Sequence, residues 1–206
     1  MLFRSMLHDQ DWFKLASEPT KACTSLVRDF YKNLKVISSQ NPDQLYSSAC
    51  QLWWGGRDRF ITLEDFTEIL KLPTEEKGIK FHSKQNWPKR STEALKCVFP
   101  HMGVDKRAHS TKDLPLHLRI VHAFILKNIM PREKDHDKVT MCDTMILYEL
   151  LEDRVVDTAQ IMFFQLQQAI GSTTTGLPFP HLIAPDRKST RLNSSHITRS
   201  RMPSSA

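Results

Sequence analysis

Residues 113–170 read DLPLHLRIVHAFILKNIMPREKDHDKVTMCDTMILYELLEDRVVDTAQIMFFQLQQAI, and this stretch decides the fold. Its apolar residues recur at the three- and four-residue spacing of amphipathic helices, in three groups separated by charged or polar segments. The three stripes consist of Leu114, Leu118, Val121, Ile125 and Ile129, then Val139, Cys142, Met145, Ile146 and Leu150, and finally Ile161, Met162, Leu166, Ala169 and Ile170. Three such helices joined by short loops must bury their stripes against one another. The sequence therefore predicts a helical core.

The ends of these three helices carry residues that commonly begin or end a helix. Asp113 followed by Pro115 predicts the start of the first helix, because an acid accepts hydrogen bonds from free amides and proline fits the first turn. Pro131 ends that helix, since proline cannot continue it. Asp157 predicts the start of the third helix, and Gly171 its end, because glycine adopts positive φ at no cost.

Upstream of this unit, the sequence predicts a further helix and a small hairpin. Apolar residues at Leu26, Val27, Phe30, Tyr31 and Leu34 predict a helix over Thr24–Leu34, with Thr24 or Ser25 as its cap. Two short apolar runs, Gln51–Trp54 and Arg59–Ile61, are joined through Gly55-Gly56-Arg57-Asp58 and predict a small β-hairpin.

Three more segments separate the hairpin from the three-helix unit. Thr62 with Asp65 three residues later predicts a capped helix, whose apolar set is Leu63, Phe66, Ile69 and Leu70. Residues 74–90 are polar and are predicted to form an irregular connection, followed by a brief helix over Thr92–Phe99. We therefore expect a mainly α fold, a single helical domain that can include one small β-hairpin.

Both ends of the chain resemble translated sequencing adapters. Residues 186–206 begin with DRKSTRLN, the peptide encoded by GAT CGG AAG AGC ACA CGT CTG AAC, and residues 2–5, LFRS, correspond to CTC TTC CGA TCT. A natural Ser/Arg-rich disordered tail is the alternative that composition alone favours. We expect residues 1–5 and 186–206 to be adapter-derived, the latter as a disordered tail, and residues 6–185 to be one domain truncated at its C-terminus.

The charge of the chain depends on these ends. The 206 residues include 29 basic and 23 acidic side chains, a formal charge of +6. The adapter-like ends hold six of the basic residues and one acid, so residues 6–185 carry 23 against 22. A balance of +1 gives the domain no overall electrostatic attraction for nucleic acid.

The sequence gives no sign of a membrane or of disulfides. No run of eighteen apolar residues is present, so we expect no membrane contact and an intracellular location, with the nucleus as one option. The cysteines Cys23, Cys50, Cys97 and Cys142 have no paired spacing. Four unpaired cysteines in such a chain are typical of reduced thiols.

Five blocks of sequence follow one another in a recognisable order. They are Leu26–Tyr31 (LVRDFY) with Asn33-Leu34, Gly56 with Phe66 and Leu70–Pro73 (LKLP), Ile129–Pro131 with Val139 and Leu147-Tyr148, Val155–Asp157, and Phe179–Ile183. Together they resemble the family called putative plant transposon protein, found in mobile-element reading frames, over residues 12–183. Gly55 and Thr158 depart from that pattern, the first replacing an arginine and the second a glycine. The resemblance implies a plant mobile-element origin and brings with it no catalytic residue.

The residue types of the chain could in principle form three kinds of catalytic or metal site. A transposase needs carboxylates that converge on two metal ions. The available acids are predicted to cap helices or to lie on solvated faces. They are Asp58, Glu64, Asp65, Glu68, Asp113, Asp143, Glu149, Glu152, Asp153 and Asp157. Zinc would use Cys97, His101 and His109, with His117 and His122 nearby, but no close pair such as C-x-x-C occurs. A Cys/His hydrolase would need a reactive thiol, and Cys142 lies on an apolar stripe. We expect no catalytic residue, metal or cofactor.

Nucleic-acid binding has one local candidate. Lys84, Trp87, Lys89, Arg90 and Lys96 combine cations with an aromatic ring, which can neutralise phosphate and stack on a base, although a solvated loop has the same composition. We interpret the chain first as a non-catalytic interaction or assembly module whose partners are element-encoded or host proteins. Nucleic-acid binding is the first alternative, and a transposase or nuclease is the least favoured one.

Overall fold

The computed structural model describes residues 8–10, 12, 15, 22–37, 49–72, 87–102, 109–132, 134–170 and 177–183. These residues form a mainly α structure with two small antiparallel sheets. The helices are α1 (Thr24–Asn33), α2 (Leu63–Leu70), α3 (Trp87–Val98), α4 (Leu116–Asn128), α5 (Met141–Leu151), α6 (Thr158–Ala169) and α7 (Pro180–Ile183), and the strands are β1 (Leu34–Val36), β2 (Ala49–Trp54), β3 (Arg57–Thr62), β4 (His109–Ser110) and β5 (Lys138–Val139). Residues 1–5 and 186–206, predicted to be adapter-derived, lie outside the described residues, as does Gly171.

The main core confirms the predicted three-helix unit. Helix α5 packs against both α3 and α4, and residues 143–150 of α5 are all buried. A helix buried on all sides shows no clear apolar stripe, because it has no solvated face. The predicted core residues Leu118, Val121, Ile125, Ile146, Leu150 and Met162 share this cluster.

A second core lies under a three-stranded sheet. Its buried members are Val27, Tyr31, Leu34, Cys50, Leu52, Phe163, Leu166 and Ala169, which come from α1, β1, β2 and α6. Leu166 was predicted to join the main core, and that prediction is wrong, because the face of α6 that carries it turns towards the sheet. The Tyr31 hydroxyl donates to the Pro178 carbonyl at 2.7 Å and so holds the segment before α7 against α1.

The predicted hairpin is confirmed and forms part of a larger sheet, but Arg57 and Asp58 belong to β3 and not, as predicted, to the connection. Strand β2 pairs antiparallel with β3, and the two-residue turn between them has φ of +61° at Gly55 and +78° at Gly56. Positive φ at both positions is what the favoured hairpin turns require, and it makes glycine the natural residue there. Strand β1 pairs with the other edge of β2, Leu34 lying opposite Leu52, and this third strand was not predicted.

The N-terminal segment closes the main core beside α6. Trp12 is fully buried, its indole Nε1 donates to Thr158 Oγ1 at 2.8 Å, and its ring stacks on Phe124. Gln10 bridges two backbone groups just before α6, donating to the Arg154 carbonyl and accepting from the Val156 amide. The three hydrogen bonds join residues about 145 positions apart.

Two predicted helix starts are wrong. Asp113 does not cap α4: its carboxylate accepts from the Ser110 amide and caps a short 3-10 turn, and Pro115 occupies the N-cap position of α4. Leu114 is extended because the residue before a proline avoids helical ψ, so α4 begins after it. Helix α1 has Cys23 at its N-cap, whose side chain makes no capping hydrogen bond, instead of the predicted Thr24 or Ser25 cap.

Two further boundaries also differ from the prediction. Val139 belongs to β5 opposite His109, and α5 starts at Met141 behind a Thr140 N-cap. Helix α3 begins at Trp87, whereas residues 87–90 were predicted to be irregular. Pro88 lies in the first turn of α3, where the missing proline N–H breaks no helical bond.

Two residues of the apolar sets that predicted α1 and α2 are exposed. Ile69 of α2 is 73% exposed and Leu26 of α1 is 43% exposed, while Phe66 and Val27 on the same helices face the interior. The capping box predicted for α2 is confirmed, since Thr62 Oγ1 accepts from the Asp65 amide and the Asp65 carboxylate accepts from the Thr62 amide.

Candidate interaction surface

The residues predicted to contact nucleic acid are only partly brought together. Lys84 lies outside the described residues, Trp87, Lys89 and Arg90 fall in the first turn of α3, and Lys96 is exposed near its end. Positions 89 and 96 share a helix face because they are seven residues apart. Glu93 and Lys96 are both exposed on α3, so this helix presents charges of both signs.

A cluster of residue types common in catalysis lies in the main core. His122 and Asp143 are 1% and 0% exposed, and His122 Nε2 lies 3.3 Å from Asp143 Oδ2 without the alignment of a hydrogen bond. Oδ2 also accepts from Arg132 Nη2 and from the amide and hydroxyl of Thr140. Neither His122 nor Asp143 reaches the surface, and the cluster joins α4, α5 and the loop between them.

The electrostatics of Asp143 follow from this arrangement. Burial raises the pKa of its carboxyl, but the contacts with His122, Arg132 and Thr140 outweigh burial and hold the pKa below its usual value. Asp143 therefore remains ionised within the core. A second buried acid, Glu149 of α5, pairs with Arg154 at 3.1 Å, and the Arg154 guanidinium also lies over the Tyr148 ring.

The residues weighed for zinc or thiol chemistry lie in different environments. Cys97 and His101 are exposed, whereas His109 is buried and stacks on Phe99 with ring centroids 4.2 Å apart. Burial raises the pKa of Cys50 to about 11, against a smaller opposing effect of a hydrogen bond with Gln167, so this thiol stays protonated. None of the four cysteines, all of which the structure describes, forms a disulfide. Across the described ranges, no group of three or more His, Cys, Asp or Glu side chains is arranged to hold a metal ion.

The most distinctive exposed feature is the hairpin, whose side chains alternate between two faces. Cys50 and Leu52 point into the second core, so Gln51 and Trp53 occupy the opposite, outer face. Gln51 pairs with Phe60 and Trp53 with Asp58, which makes Trp53 and Phe60 diagonal neighbours on that outer face. Trp53 is 52% exposed and Phe60 62% exposed.

The hairpin carries its cations on the other face, towards the turn. Trp54 pairs with Arg57 beside the turn and Arg59 lies opposite Leu52, so these three residues share the face of Leu52, while Asp58 lies with Trp53 and Phe60 on the outer face. We call the exposed residues of both faces, Trp53, Trp54, Arg57, Arg59 and Phe60, the hairpin surface. It contains two arginines and three aromatic rings, and Asp58 is the one acid of strand β3.

An acidic surface follows directly in the chain. Glu64, Asp65, Glu68 and Ile69 are the exposed residues of α2, and their spacing places them on one helix face, which we call the α2 outer face. The backbone hydrogen bond from Thr62 lowers the pKa of Asp65, so this carboxylate is ionised at neutral pH. The α2 outer face therefore combines three negative charges with a highly exposed isoleucine.

The sequence contained a signal for the hairpin surface that the hairpin prediction did not use. Gln51–Trp54 was interpreted as one apolar run. Side chains alternate along a strand, so Trp53 and Trp54 point to opposite faces and one of them is exposed whichever face is buried. Here Leu52 lies inside and Trp53 outside.

Comparison with known proteins gives one result about family. The model of the family described as putative plant retrotransposon-related domain matches residues 8–185. The chain belongs to this family. The match confirms the plant mobile-element origin that the sequence blocks indicated, and it extends from the N-terminal segment beyond α7 of the retrotransposon-related domain.

Comparison of the retrotransposon-related domain with curated proteins and with solved structures yields no match in either case. Within the described residues, none of its helices is both long and apolar enough to cross a membrane.

Proposed function

We propose that this domain is a non-catalytic interaction module of a plant mobile-element protein, and that its partners are proteins encoded by the element or by the host. The observation that carries the proposal is the hairpin surface. Two tryptophans, a phenylalanine and two arginines are exposed there on adjacent strands. The proposal places the protein inside the cell, and the nucleus is the compartment to examine first.

The composition of the hairpin surface supports a protein partner. Tryptophan and arginine are enriched among the residues that contribute most to protein–protein binding, because each combines a large contact area with a polar group. An exposed ring such as Phe60 contributes about 1.5–3 kcal/mol when it becomes fully buried. The second core holds β2 from below through Cys50 and Leu52, so the rings are presented on a packed sheet.

The proposal is tested by binding assays against the other proteins encoded by the same element. The full chain is immobilised and compared with a variant carrying Trp53→Ser and Phe60→Ser. We expect at least one of these proteins to bind the unchanged chain and to bind the variant about 100-fold more weakly, as expected for the loss of two central aromatic contacts.

A matched control comes from α4. Leu116 is 72% exposed and lies outside the sheet, so Leu116→Ser removes a similar exposed apolar group elsewhere. This control variant should bind like the unchanged chain. Equal binding by all three chains would contradict the assignment of the hairpin, and magnesium-dependent cleavage of DNA by the purified domain would overturn the non-catalytic proposal.

Nucleic-acid binding is the second candidate, and α3 is the feature that favours it. Positions 89 and 96 place two lysines on one face of this helix, and Trp87 begins it. Binding of labelled duplex and single-stranded DNA should be measured at two salt concentrations, since phosphate-driven binding weakens steeply as salt rises.

The cations of residues 186–206 could bind DNA without the folded domain, so they must be removed before this assay. The full chain with Arg187, Lys188, Arg191, Arg199 and Arg201 changed to glutamine is therefore the background for the test. Salt-dependent binding that persists in this background and is lost on changing Lys84, Lys89, Arg90 and Lys96 together would favour nucleic acid over protein. The absence of binding in this background would eliminate the second candidate.

A further inference from the structure

Strand β3 lies at one edge of the three-stranded sheet. It pairs with β2 on one side, and no other strand among the described residues pairs with it on the other side, which we call the free edge. Residues 57–60 of this strand are all exposed, and Phe60 is 62% exposed. An uncovered edge strand presents amides and carbonyls with which another chain can pair. The free edge of β3 is therefore a candidate binding site for extended backbone.

The hydrogen bonds of β2 show which residues of β3 point to the free edge. The Ala49 carbonyl accepts from the Ile37 amide at 3.4 Å, so the backbone groups of Ala49 point towards β1. Successive residues of a strand direct these groups to opposite sides, so positions 50, 52 and 54 of β2 face β3. Their partners on β3 are positions 61, 59 and 57. Asp58 and Phe60 therefore direct their amides and carbonyls to the free edge.

The start of α2 supports this assignment independently. Thr62 alternates in step with Asp58 and Phe60, and its amide donates to the Asp65 carboxylate at 2.9 Å instead of to β2. Within the described part of the chain, the backbone groups of Asp58 and Phe60 form no such bond. An added antiparallel strand could thus exchange a pair of hydrogen bonds with each of these two residues.

The side chains of β3 give the free edge two chemically different faces. Arg57 and Arg59 lie on the face of Leu52, and Asp58 and Phe60 lie on the outer face. Neither arginine forms an ion pair with another described residue. Opposite charges and apolar pairs stabilise neighbouring strands when they lie side by side on one face. A strand beside β3 is therefore favoured by acids on one face and by an apolar side chain on the other.

We propose that β3 binds an extended segment of a partner protein as a fourth strand of the sheet, and that acidic residues alternate with apolar ones in this segment. The inference rests on the proposed function and names the kind of partner segment that the hairpin takes. In strand addition, backbone hydrogen bonds give affinity and alternate side chains give specificity. A second copy of β3 fits poorly, because antiparallel pairing of two free edges brings four arginines onto one face.

Methylation of a peptide backbone tests the proposal with the protein unchanged. The probe is a labelled, capped peptide of about eight residues in which glutamate and valine alternate, and its binding to the full chain is followed by fluorescence anisotropy. The valines share the outer face with Asp58 and Phe60 and are the residues that bond to them. Methylation of the valine nitrogens should weaken binding at least about tenfold, whereas methylation of the glutamate nitrogens should leave binding unchanged.

Variants of the full chain test the same contacts from the protein side. Asp58→Pro removes one amide from the free edge and no bond to β2, so it should weaken binding about tenfold, while Asp58→Asn keeps the amide and should bind normally. Arg57→Glu with Arg59→Glu should lose the glutamate peptide and bind a peptide of alternating lysine and valine instead. Leu116→Ser is the control for an unrelated exposed position. Circular dichroism must show the same helix content and melting temperature for each variant.

Several results would overturn the inference. No binding of the glutamate peptide at about 1 mM would exclude a specific site of this kind. Equal effects of the two methylation patterns would show that the backbone of β3 does not pair with the peptide. If an element-encoded protein binds through Trp53 and Phe60 but binds Asp58→Pro as well as Asp58→Asn, strand addition is wrong. The proposed function then stands, because the face of the hairpin and not its edge carries the binding.

Discussion

Replacing Asp143 by alanine should destabilise the domain more than any other loss of a capping side chain. Its carboxylate accepts from the Thr140 amide at 2.7 Å and from the Thr140 hydroxyl at 2.8 Å, which caps α5, and it also neutralises Arg132. Loss of an N-terminal cap costs about 1 kcal/mol. Removal of one member of a buried ion pair costs about 3–5 kcal/mol, because the remaining charge is left without its partner.

The expected total for Asp143→Ala is about 4 kcal/mol, since Arg132 is 19% exposed and regains some hydration. For a domain of this size, each kcal/mol lowers the melting temperature by about 2–4 °C, so a fall of about 10 °C is expected. Urea denaturation followed by circular dichroism measures the free energy directly, provided that the slope with urea does not change.

Asp65→Ala is the matched control, because Asp65 occupies the same position in the Thr62 capping box of α2 but is exposed and has no arginine partner. This variant should lose only a small fraction of the stability lost by Asp143→Ala. Asp143→Asn should fall between the two, because its amide oxygen can still accept from Thr140 while the charge is gone. Equal losses for Asp65→Ala and Asp143→Ala would refute the idea that burial and the Arg132 charge set the size of the effect.

The contribution of Asp143 also has a defined pH dependence. Its folded pKa is lower than its unfolded pKa, so the stabilisation is fully present above the unfolded value, near pH 4, and disappears as pH falls through the folded value. The difference in unfolding free energy between the unchanged chain and Asp143→Ala should therefore be constant from pH 5 to 7 and shrink below about pH 4. A difference in unfolding free energy that grows on acidification would contradict a folded pKa of Asp143 below its unfolded pKa.

Three further outcomes are expected. Ile125→Asp places a charge at a fully buried position of the main core and should prevent folding, which an unchanged melting curve would contradict. Trp12→Phe keeps an aromatic ring beside Phe124 but removes the N–H that binds Thr158, so urea denaturation should show a loss of about 2 kcal/mol, and no loss would mean that the N-terminal segment is not docked. Resequencing the genomic locus should show the reading frame continuing beyond residue 183 into a different sequence, and recovery of residues 186–206 would refute their adapter origin.

Local sequence predicted those parts of the fold that depend on neighbouring residues. The Thr62 capping box joins residues three positions apart, and the hairpin is indicated by adjacent glycines between two apolar runs, so both were found, although Arg57 and Asp58 were assigned to the connection instead of to β3. The stripe from Leu118 to Ile125 also identified the buried face of α4 correctly. In each case the deciding interaction lies within one helix or one hairpin.

The missed features depend on partners far away in the sequence. Strand β1 has three residues and becomes a strand because residues 50–52 lie beside it. Asp143 was interpreted as a capping or solvated acid, and only its contacts with His122 and Arg132 show that it can be buried while ionised. Ile69 and Leu26 were counted as core because helical spacing alone cannot tell which apolar residues a neighbouring element will cover.

Helix α6 links the core to the hairpin surface and to the α2 outer face. Leu166 and Phe163 of α6 pack in the second core with Cys50 and Leu52 of β2, which hold the hairpin from its inner face. Phe66 of α2 lies against both cores, and its ring centroid is 5.5 Å from that of Phe163. The hairpin surface and the α2 outer face are therefore both positioned by packing against one helix. Because neither surface has to be ordered when a partner arrives, less of the binding free energy is lost on arranging side chains and backbone.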